Sequence, residues 1–393
     1  MRVGISTTMI QRGKTGIAQY LFALTRAFGR LHTKIEPVLF VLEEDMPLFA
    51  FAEPYCELAP VAEKFRSPVR NILWHQLSLP GEIRKRSLEL FHVPSYRRML
   101  GTAPCPSVAT IHDLAPFHVT KKYDWKRMFY GRVVARRLAA RQDEIIAISK
   151  QTAGDIEKYF GVPRGKINLI YNGLDRTKYF PGEVENIPEA LKQIDLTIPY
   201  FLYVARLEHP AKNHVRLISA FEKFKKVTSS HWQLVFAGAD WHGAEVIHHR
   251  MASSSVRNEI HSLGFVPDAD LSSLYRAAGC FVFPSMFEGF GLPPLEAMAS
   301  GCPVISSTRG SLAEVVGDAV IPINPESEDE MAHALAQISG SEALRISLSR
   351  NGIEHAKKFD WGICAQQTVE VYHKALRKSA QVASEPALLK SVG

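Results

Sequence analysis

The sequence predicts an α/β protein of two domains, each built on a parallel β-sheet covered by helices. Three observations lead to this prediction. The chain has 393 residues, enough for two domains that each bury a core. Short apolar runs alternate with helical patterns along both halves. The connections between them are short, which is typical of parallel strands joined through helices.

The predicted elements follow in chain order. Strands in the first half are expected at 2–7, 37–42, 90–93, 107–112, 144–149 and 167–171, with helices at 17–29, 127–141 and 152–160. Strands in the second half are expected at 200–205, 232–237, 260–266, 280–283, 303–306 and 319–322, with helices at 214–227, 271–278, 294–300 and 343–358.

The domain boundaries come from shifts in composition. A stretch rich in proline and acidic residues, 181–199, separates the two patterns as a linker would. The first domain is then 1–180 and the second 200–360. A last helical pattern covers 361–379, and the tail 381–393 is predicted to be poorly ordered.

Composition restricts the class of protein. Hydrophobic residues make up 46% and charged residues 22%, which are ordinary globular values and argue against disorder. The five cysteines form no C-x-x-C pair and are interpreted as small core residues in a reducing cytoplasm. No secretory signal is seen at the N-terminus, and no apolar run reaches the ~20 residues of a membrane span.

The net charge of +7 permits an anionic partner. Much of the excess lies in 121–141, where basic residues mix with aromatic and aliphatic ones at helical spacing. One interpretation is an interfacial helix in contact with anionic lipid, which would make the protein peripheral at the inner face of the membrane. The other, which we favour, is a domain helix with a solvated basic face.

The run 287–297 carries the strongest chemical signal. Glu288 and Glu296 bracket a loop between a predicted strand and a predicted helix. Gly289 and Gly291 allow close approach of a ligand, and a helix N-terminus favours an anion such as phosphate. Carboxylates accept hydrogen bonds from sugar or ribose hydroxyls. Phosphate and hydroxyls at one place suggest a nucleotide-sugar.

A second signal follows the strand 200–205. Arg206 and Lys212 lie within one loop, and two cations just past a strand end suit a diphosphate. Two surface cations would be the simpler interpretation if this pair stood alone.

The run 287–297 resembles the signature of the retaining glycosyltransferases of family 4 (GT4), and the spacing of Arg206 and Lys212 is similar to the pair that holds the donor diphosphate there. The resemblance implies a GT-B fold, with two Rossmann-like domains whose parallel sheets face a central cleft. It also implies that the helix 361–379 packs back on the first domain. The implied activity is transfer of a sugar from a UDP- or GDP-sugar, of the UDP-glucose type or GDP-mannose, to a hydroxyl acceptor with retention, in bacterial polysaccharide or glycolipid synthesis.

Site residues are carried over from the resemblance one by one. In the second domain it implies a catalytic role for Glu288, donor-sugar contacts from Glu288, Gly289, Phe290, Gly291 and Leu292, ribose contact from Glu296, and base contact from Phe265 and Val266. In the first domain it implies a catalytic His112 that donates a hydrogen bond near the sugar, a diphosphate contact from Gly16, and acceptor-side roles for Asp113 and Ser149.

One of these positions departs from the family pattern, and another has an alternative role. Thr15-Gly16 replaces the paired glycines of the family, so only Gly16 carries over. For Ser149, an N-cap of the following helix is an equal alternative to ligand contact.

The partners implied are a nucleotide-sugar donor and a saccharide or lipid-linked acceptor, with no cofactor and no metal. Asp268 and Asp270 resemble the D-x-D of metal-dependent transferases, but acidic residues favour a helix start, which is how we interpret them.

Other classes fit less well. A Walker loop through Gly13-Lys14-Thr15 would need glycine where Thr8 stands. A GT-B nucleotide-sugar epimerase remains an alternative. Nucleic-acid binding is suggested by charge alone, without a matching motif.

Overall fold

The computed structural model describes residues 1–31, 35–118, 130–184, 187 and 189–389. It divides the chain into two compact units. The first comprises Met1–Gly173 and the chain from Asp360 onward, and the second is Leu174–Phe359. The described residues of the predicted linker, 181–199, therefore belong to the second unit.

The first unit is built on a seven-stranded parallel sheet in the order β3-β2-β1-β4-β5-β6-β7. Its strands are β1 (Arg2–Ser6), β2 (Glu36–Leu42), β3 (Glu57–Val61), β4 (Leu90–Val93), β5 (Ser107–Ile111), β6 (Glu144–Ala147) and β7 (Ile167–Leu169). Its α-helices are Gly16–Arg30, Pro68–Leu73, Leu79–Lys85, Ala115–His118, Arg136–Arg141, Lys150–Asp155 and Trp361–Leu389.

The helix Trp361–Leu389 is fixed to this unit by a buried carboxylate. Glu144 of β6 is fully buried, and its side chain pairs with Lys374 at 2.8 Å and with Lys378. Tyr372 of the same helix lies 2.8 Å from Nδ1 of His92. The helix continues to Leu389, beyond the predicted end at 379. The poorly ordered tail over 381–393 stays a prediction.

The second unit has a six-stranded parallel sheet in the order β10-β9-β8-β11-β12-β13. Its strands are β8 (Tyr200–Val204), β9 (Gln233–Ala237), β10 (Ile260–Ser262), β11 (Cys280–Phe283), β12 (Val304–Ser307) and β13 (Ile321–Ile323). Its α-helices are His214–Val227, Ala244–Ala252, Leu271–Ala277, Leu292–Ala299, Ser311–Val316, Glu328–Gly340 and Glu342–Ala356.

Both sheet orders contain a reversal. In the first sheet the chain builds outward from β1 to β3 and then returns to β4, which pairs with β1. In the second sheet β11 pairs with β8 in the same way. In open parallel sheets, ligands bind beyond the carboxyl ends of the strands at such a reversal. The loops after β1 and β4, and those after β8 and β11, are therefore the expected binding loops.

The basic segment 121–141 is described only in part. Residues 121–129 lie outside the described residues. The remainder forms a helical segment that buries Gly131, Ala135 and Ala139 and exposes Arg136 and Arg137. That part is a domain helix with a solvated basic face. Across the described ranges, no helix is both long and apolar enough to cross a membrane.

Candidate active site

The loop between β11 and the helix Leu292–Ala299 is held from behind by a neighbouring helix. The hydroxyl of Ser311 lies 2.7 Å from the Glu288 carbonyl and 3.1 Å from the Phe290 carbonyl, so it can donate to either. Gly291 has φ +115°, and a Cβ there would lie 2.6 Å from the Leu312 side chain. Glycine is therefore required at 291, and the helix Ser311–Val316 fixes the path of the loop.

This supporting helix was not among those predicted from the sequence. Its signal was the pair Gly310-Ser311 just after β12, which is a turn followed by a short polar residue near a helix start.

Glu288 and Lys212 form an ion pair across the reversal of the second sheet. Lys212 Nζ donates to Glu288 Oε1 at 2.6 Å, and the two side chains are only 19% and 17% exposed. The backbone of Lys212 is fixed as well, because the Tyr203 hydroxyl donates to its carbonyl at 2.7 Å. The resemblance implies a diphosphate contact for Lys212 and a sugar contact for Glu288. In the structure the two side chains form one ion pair.

Arg206 lies at the end of β8, on the same loop as Lys212. Its guanidinium is 4.7 Å from the centroid of the Trp241 ring, and Nη2 is 3.5 Å from the buried carboxylate of Glu208. The side chain is 45% exposed, so it remains accessible to a ligand.

Gly238, at the end of β9, sets the backbone of this loop. A Cβ at 238 would lie 2.0 Å from the Ala205 carbonyl oxygen, so a larger residue would displace Ala205 and Arg206. Gly238 was not predicted to be a site residue, because a glycine after a strand has no distinctive sequence signal.

The helix Leu292–Ala299 begins next to these charges. Its N-cap is Gly291, and its first turn contains Pro293 and Pro294, which have no N–H. The amides of Gly291 and Leu292 are therefore the donors that this terminus can offer an anion.

Glu296 lies further along the same helix in a half-buried position. Burial raises the pKa of this carboxyl to about 7, against a hydrogen bond from Tyr275, whose hydroxyl lies 2.9 Å from Oε2. The Lys178 ammonium and the Tyr179 hydroxyl also favour the ionised form. The carboxyl therefore changes charge near neutral pH.

The predicted base-binding residues follow β10. Phe265 is 70% exposed and Val266 is buried. The next turn, Asp268–Asp270, leads directly into the helix Leu271–Ala277, so the prediction of a helix start is confirmed. Asp268 pairs with Lys178 at 2.5 Å. In the part of the chain that the structure describes, no group of three or more His, Cys, Asp or Glu residues is placed to hold a metal ion.

His112 follows β5 in the first unit. Burial lowers the pKa of His112 to about 4, against a hydrogen bond to the backbone of Pro94, which can only be its carbonyl. Nε2 is buried and has no partner among the described residues, so Nδ1 donates to Pro94. A neutral ring with its proton on Nδ1 presents Nε2 as an acceptor. The catalytic role of His112 stays a prediction, and in this tautomer its contact with a hydroxyl would be as an acceptor.

The remaining first-unit residues make local contacts. Gly16 is the first residue of the helix Gly16–Arg30, and a Cβ there would meet nothing within 4 Å. Asp113 accepts a hydrogen bond from the Ala115 amide at 2.9 Å. Ser149 is the buried N-cap of the helix Lys150–Asp155 and accepts from the Thr152 amide at 3.0 Å. The acceptor-side roles of Asp113 and Ser149 stay predictions.

Comparisons with known proteins bear on both units. The family model "Glycosyltransferase Family 4" matches residues 14–178, and the model "Glycosyl transferases group 1" matches residues 180–355. O-antigen chain mannosyltransferase B from Escherichia coli is 30% identical over 267 residues, which is 68% of this chain and 70% of that protein.

A longer relative and a solved structure extend the likeness. The serotype-specific mannosyltransferase WbdA from Escherichia coli is 28% identical over 351 residues, or 86% of this chain and 43% of that protein. The structure of Anabaena HepE in complex with UDP and glucose matches with a TM-score of 0.76 at 19% identity, covering 95% of this chain and 100% of that one.

The two parallel sheets and this structural likeness confirm the predicted GT-B fold class. The paired family models and the 30% identical relative assign the activity class. The chain belongs to the GT4-type glycosyltransferases of the GT-B fold.

Proposed function

We propose that this glycosyltransferase moves a mannosyl residue from a nucleoside diphosphate mannose to a hydroxyl of a saccharide or lipid-linked acceptor, with retention, in polysaccharide synthesis. Mannose is favoured because the relatives at 30% and 28% identity are named mannosyltransferases. GDP-mannose is the first candidate donor and a UDP-sugar the second, since the similar HepE structure contains UDP. The observation that carries the proposal is the Lys212–Glu288 pair at the reversal of the second sheet.

The charges at this reversal suit a diphosphate. Arg206 supplies a planar fork for two phosphate oxygens, and Lys212 supplies a point charge. The amides of Gly291 and Leu292 add uncharged donors at a helix N-terminus. A second-unit site of this kind holds the diphosphate without a bridging metal, so donor binding is expected to be metal-independent.

The two glutamates serve the hydroxyl groups of the donor. Glu288 precedes the loop glycines and accepts hydrogen bonds from the sugar, while it keeps Lys212 oriented toward the diphosphate. Glu296 accepts from the ribose hydroxyls, and Phe265 and Val266 lie at the base. Each contact uses a carboxylate as acceptor, so it requires the ionised form.

The reaction breaks the bond between the anomeric carbon and the terminal phosphate oxygen. The acceptor hydroxyl forms its bond to carbon on the same face and passes its proton to that departing oxygen. The cations stabilise the negative charge that builds on the diphosphate. Nε2 of His112 accepts a hydrogen bond from a sugar hydroxyl and needs no charge of its own. A lipid-linked acceptor would bring the enzyme to the inner face of the membrane from the cytoplasm.

The test is transfer by the purified chain in EDTA, with GDP-mannose and UDP-glucose as donors and a mannose-terminated oligosaccharide as acceptor. We expect a product with one added hexose from GDP-mannose, with the α configuration by NMR, and loss of product in Glu288→Ala. A β linkage would overturn retention. Activity only after Mg²⁺ or Mn²⁺ is added would overturn metal independence.

A further inference from the structure

Arg98 lies at the reversal of the first sheet, where the fold places a ligand. It follows β4, which pairs with β1, and Thr8 lies just past the end of β1. Binding is favoured beyond the carboxyl ends of two strands that meet in this way. The donor-site cations Arg206 and Lys212 belong to the other unit, so Arg98 is not part of the site described above.

The Arg98 guanidinium is fixed by uncharged oxygen atoms. Its Nε donates to Asn71 Oδ1 at 2.5 Å, and its Nη1 donates to the Arg97 carbonyl at 3.1 Å. Asn71 is itself buried and held, because its Nδ2 donates to the Phe65 carbonyl at 3.1 Å and its Oδ1 also accepts from Thr8 at 3.4 Å. The network orients the guanidinium and adds no negative charge.

Some partly buried arginines have carboxylate partners, whereas Arg216, Arg276 and Arg345 bond only to uncharged groups within the described part of the chain. Arg66 pairs with Asp45 at 3.1 Å, and Arg250 pairs with Glu222 at 2.5 Å. Arg98 is also half-buried, yet no carboxylate in the described residues lies within ion-pair distance of it. A charge removed from water without a counter-ion is unfavourable, so such sites usually receive one.

Burial and a neighbouring cation both disfavour the charged form of Arg98. Burial lowers the pKa of Arg98 to about 10, the Tyr130 phenol opposes the shift, and the neighbouring Arg97 adds to it. A guanidinium offers five N–H donors, and the two bonds above use two of them. The other three are enough for bidentate contact with an oxyanion.

We propose that Arg98 binds an oxyanion, a phosphate ester or a carboxylate, that is carried by the acceptor. The inference rests on the proposed function, because only a transferase needs an acceptor at this sheet. The acceptor would then be charged close to the hydroxyl that reacts.

Calorimetry on the full chain tests this with glycerol 3-phosphate and glycerate as probes, in EDTA and with saturating GDP or UDP. The nucleotide occupies the donor diphosphate site, so a remaining oxyanion site is measured alone. We expect one of the two probes to bind, and Arg98→Gln to weaken it about 10- to 100-fold. The control Arg70→Gln, an exposed arginine of the same unit, should bind as the wild type does.

A second measurement does not depend on the folding of a variant. Phenylglyoxal modification of the wild type, followed by mass spectrometry, should be slowed at Arg98 by the probe that binds and left unchanged at Arg70. Unchanged affinity in a folded Arg98→Gln, or no protection at Arg98, would overturn the proposal. Displacement of the probe by the nucleotide would also overturn it, because the site would then belong to the donor.

The same samples separate this inference from the proposed function. Absence of nucleotide binding would contradict the proposed donor site. The Arg98 proposal would then be decided by whether glycerol 3-phosphate or glycerate binds. Normal nucleotide binding with no oxyanion effect would contradict only the Arg98 site.

Discussion

The two sheets expose different chemistry at their carboxyl ends. The second sheet carries compensated charges, with Lys212 paired to Glu288 and Lys178 paired to Asp268. The first sheet carries His112, which is neutral, and Arg98, which has no carboxylate partner in the described residues. Paired charges can exchange partners when a diphosphate arrives, whereas a neutral ring with an unpartnered nitrogen suits a hydroxyl. The difference is the one that the proposed donor site on the second unit and the proposed acceptor site on the first would require.

The titratable groups at the carboxyl ends of the two sheets also differ in pKa. Burial raises the pKa of Glu296 to about 7 and lowers that of His112 to about 4. Between pH 6 and 8 the second unit therefore changes charge at its site, while His112 stays neutral.

Removal of the His112 ring should affect turnover alone. We expect His112→Ala to lose roughly 10²–10³-fold in kcat, the scale for one preorganised polar group, with unchanged nucleotide affinity. His373→Ala, an exposed histidine of the same unit, is the control and should be normal. Steady-state kinetics with saturating donor and acceptor would show it, and near-normal turnover would make His112 a structural residue.

Substitution of Lys212 and substitution of Glu288 should have opposite effects on the affinity for the nucleoside diphosphate. Lys212→Met loses a charge-assisted contact worth about 1.5–3 kcal/mol, so diphosphate affinity should fall about 10- to 100-fold. Glu288→Gln removes the carboxylate partner of the Lys212 ammonium. The affinity for the nucleoside diphosphate should therefore stay the same or rise, while the rate of sugar transfer falls.

Lys223→Met, which removes an exposed lysine paired with Asp329, is the matched control for calorimetry. If Glu288→Gln weakened nucleotide binding as much as Lys212→Met does, the separate roles proposed for Lys212 and Glu288 would be wrong.

The pKa of Glu296 gives nucleotide binding a pH dependence. If the ribose needs the carboxylate, affinity should rise roughly tenfold from pH 6 to 8, as a carboxyl titrating near 7 ionises. Glu296→Gln should bind more weakly and lose this part of the dependence, which also separates it from titration of the phosphate. An unchanged pH profile in the variant would count against ribose contact.

The same group affects stability with a defined sign. Its pKa is about 7 in the folded state and about 4.5 in the unfolded chain, so the folded state binds more protons between these pH values. Stability should therefore fall as pH rises from 4.5 through 7, and Glu296→Gln should be more stable at pH 8 by about 1–3 kcal/mol. Urea unfolding at pH 5 and pH 8 measures this, and equal differences at both pH values would contradict it.

The smallest effect is expected away from both sites. Lys374→Ala leaves the buried Glu144 paired with Lys378, so the loss of stability should be about 1–2 kcal/mol, less than for a buried carboxylate with no partner. Nucleotide affinity should not change. A change in affinity would show that the two regions are coupled through the last helix.

The fold could be predicted where the sequence is strongly apolar. The prediction found all the strands of the second sheet and all but one of the first, because most of their residues are buried. The missed strand is β3, Glu57–Val61, whose exposed Glu57 and Pro60 interrupt the apolar run. The helix Ser311–Val316 was missed because it is short, and its role depends on contacts with a loop about 20 residues away.

The candidate residues of the site could be named from sequence motifs, but the pairs that they form could not. Arg206, Lys212, Glu288 and Glu296 come from motifs, and the structure places all four in the second unit. The ion pair of Lys212 and Glu288 joins residues 76 positions apart, and it depends on the pairing of β8 with β11. The acceptor form of His112 depends on the Pro94 carbonyl, which no local pattern indicates. Arg98 carries no motif, and its half-buried place after β4, at the reversal of the first sheet, is seen only in the structure.

The central claim is that the carboxyl edge of the second sheet binds a nucleoside diphosphate. Calorimetry of the full chain with GDP and UDP in EDTA tests it most directly, with Arg206→Ala against the Lys223→Met control. We predict one-to-one binding of at least one nucleotide, weakened about 10- to 100-fold in Arg206→Ala and unchanged in the control. Equal affinity in the wild type and Arg206→Ala, or no binding of either nucleotide, would contradict it.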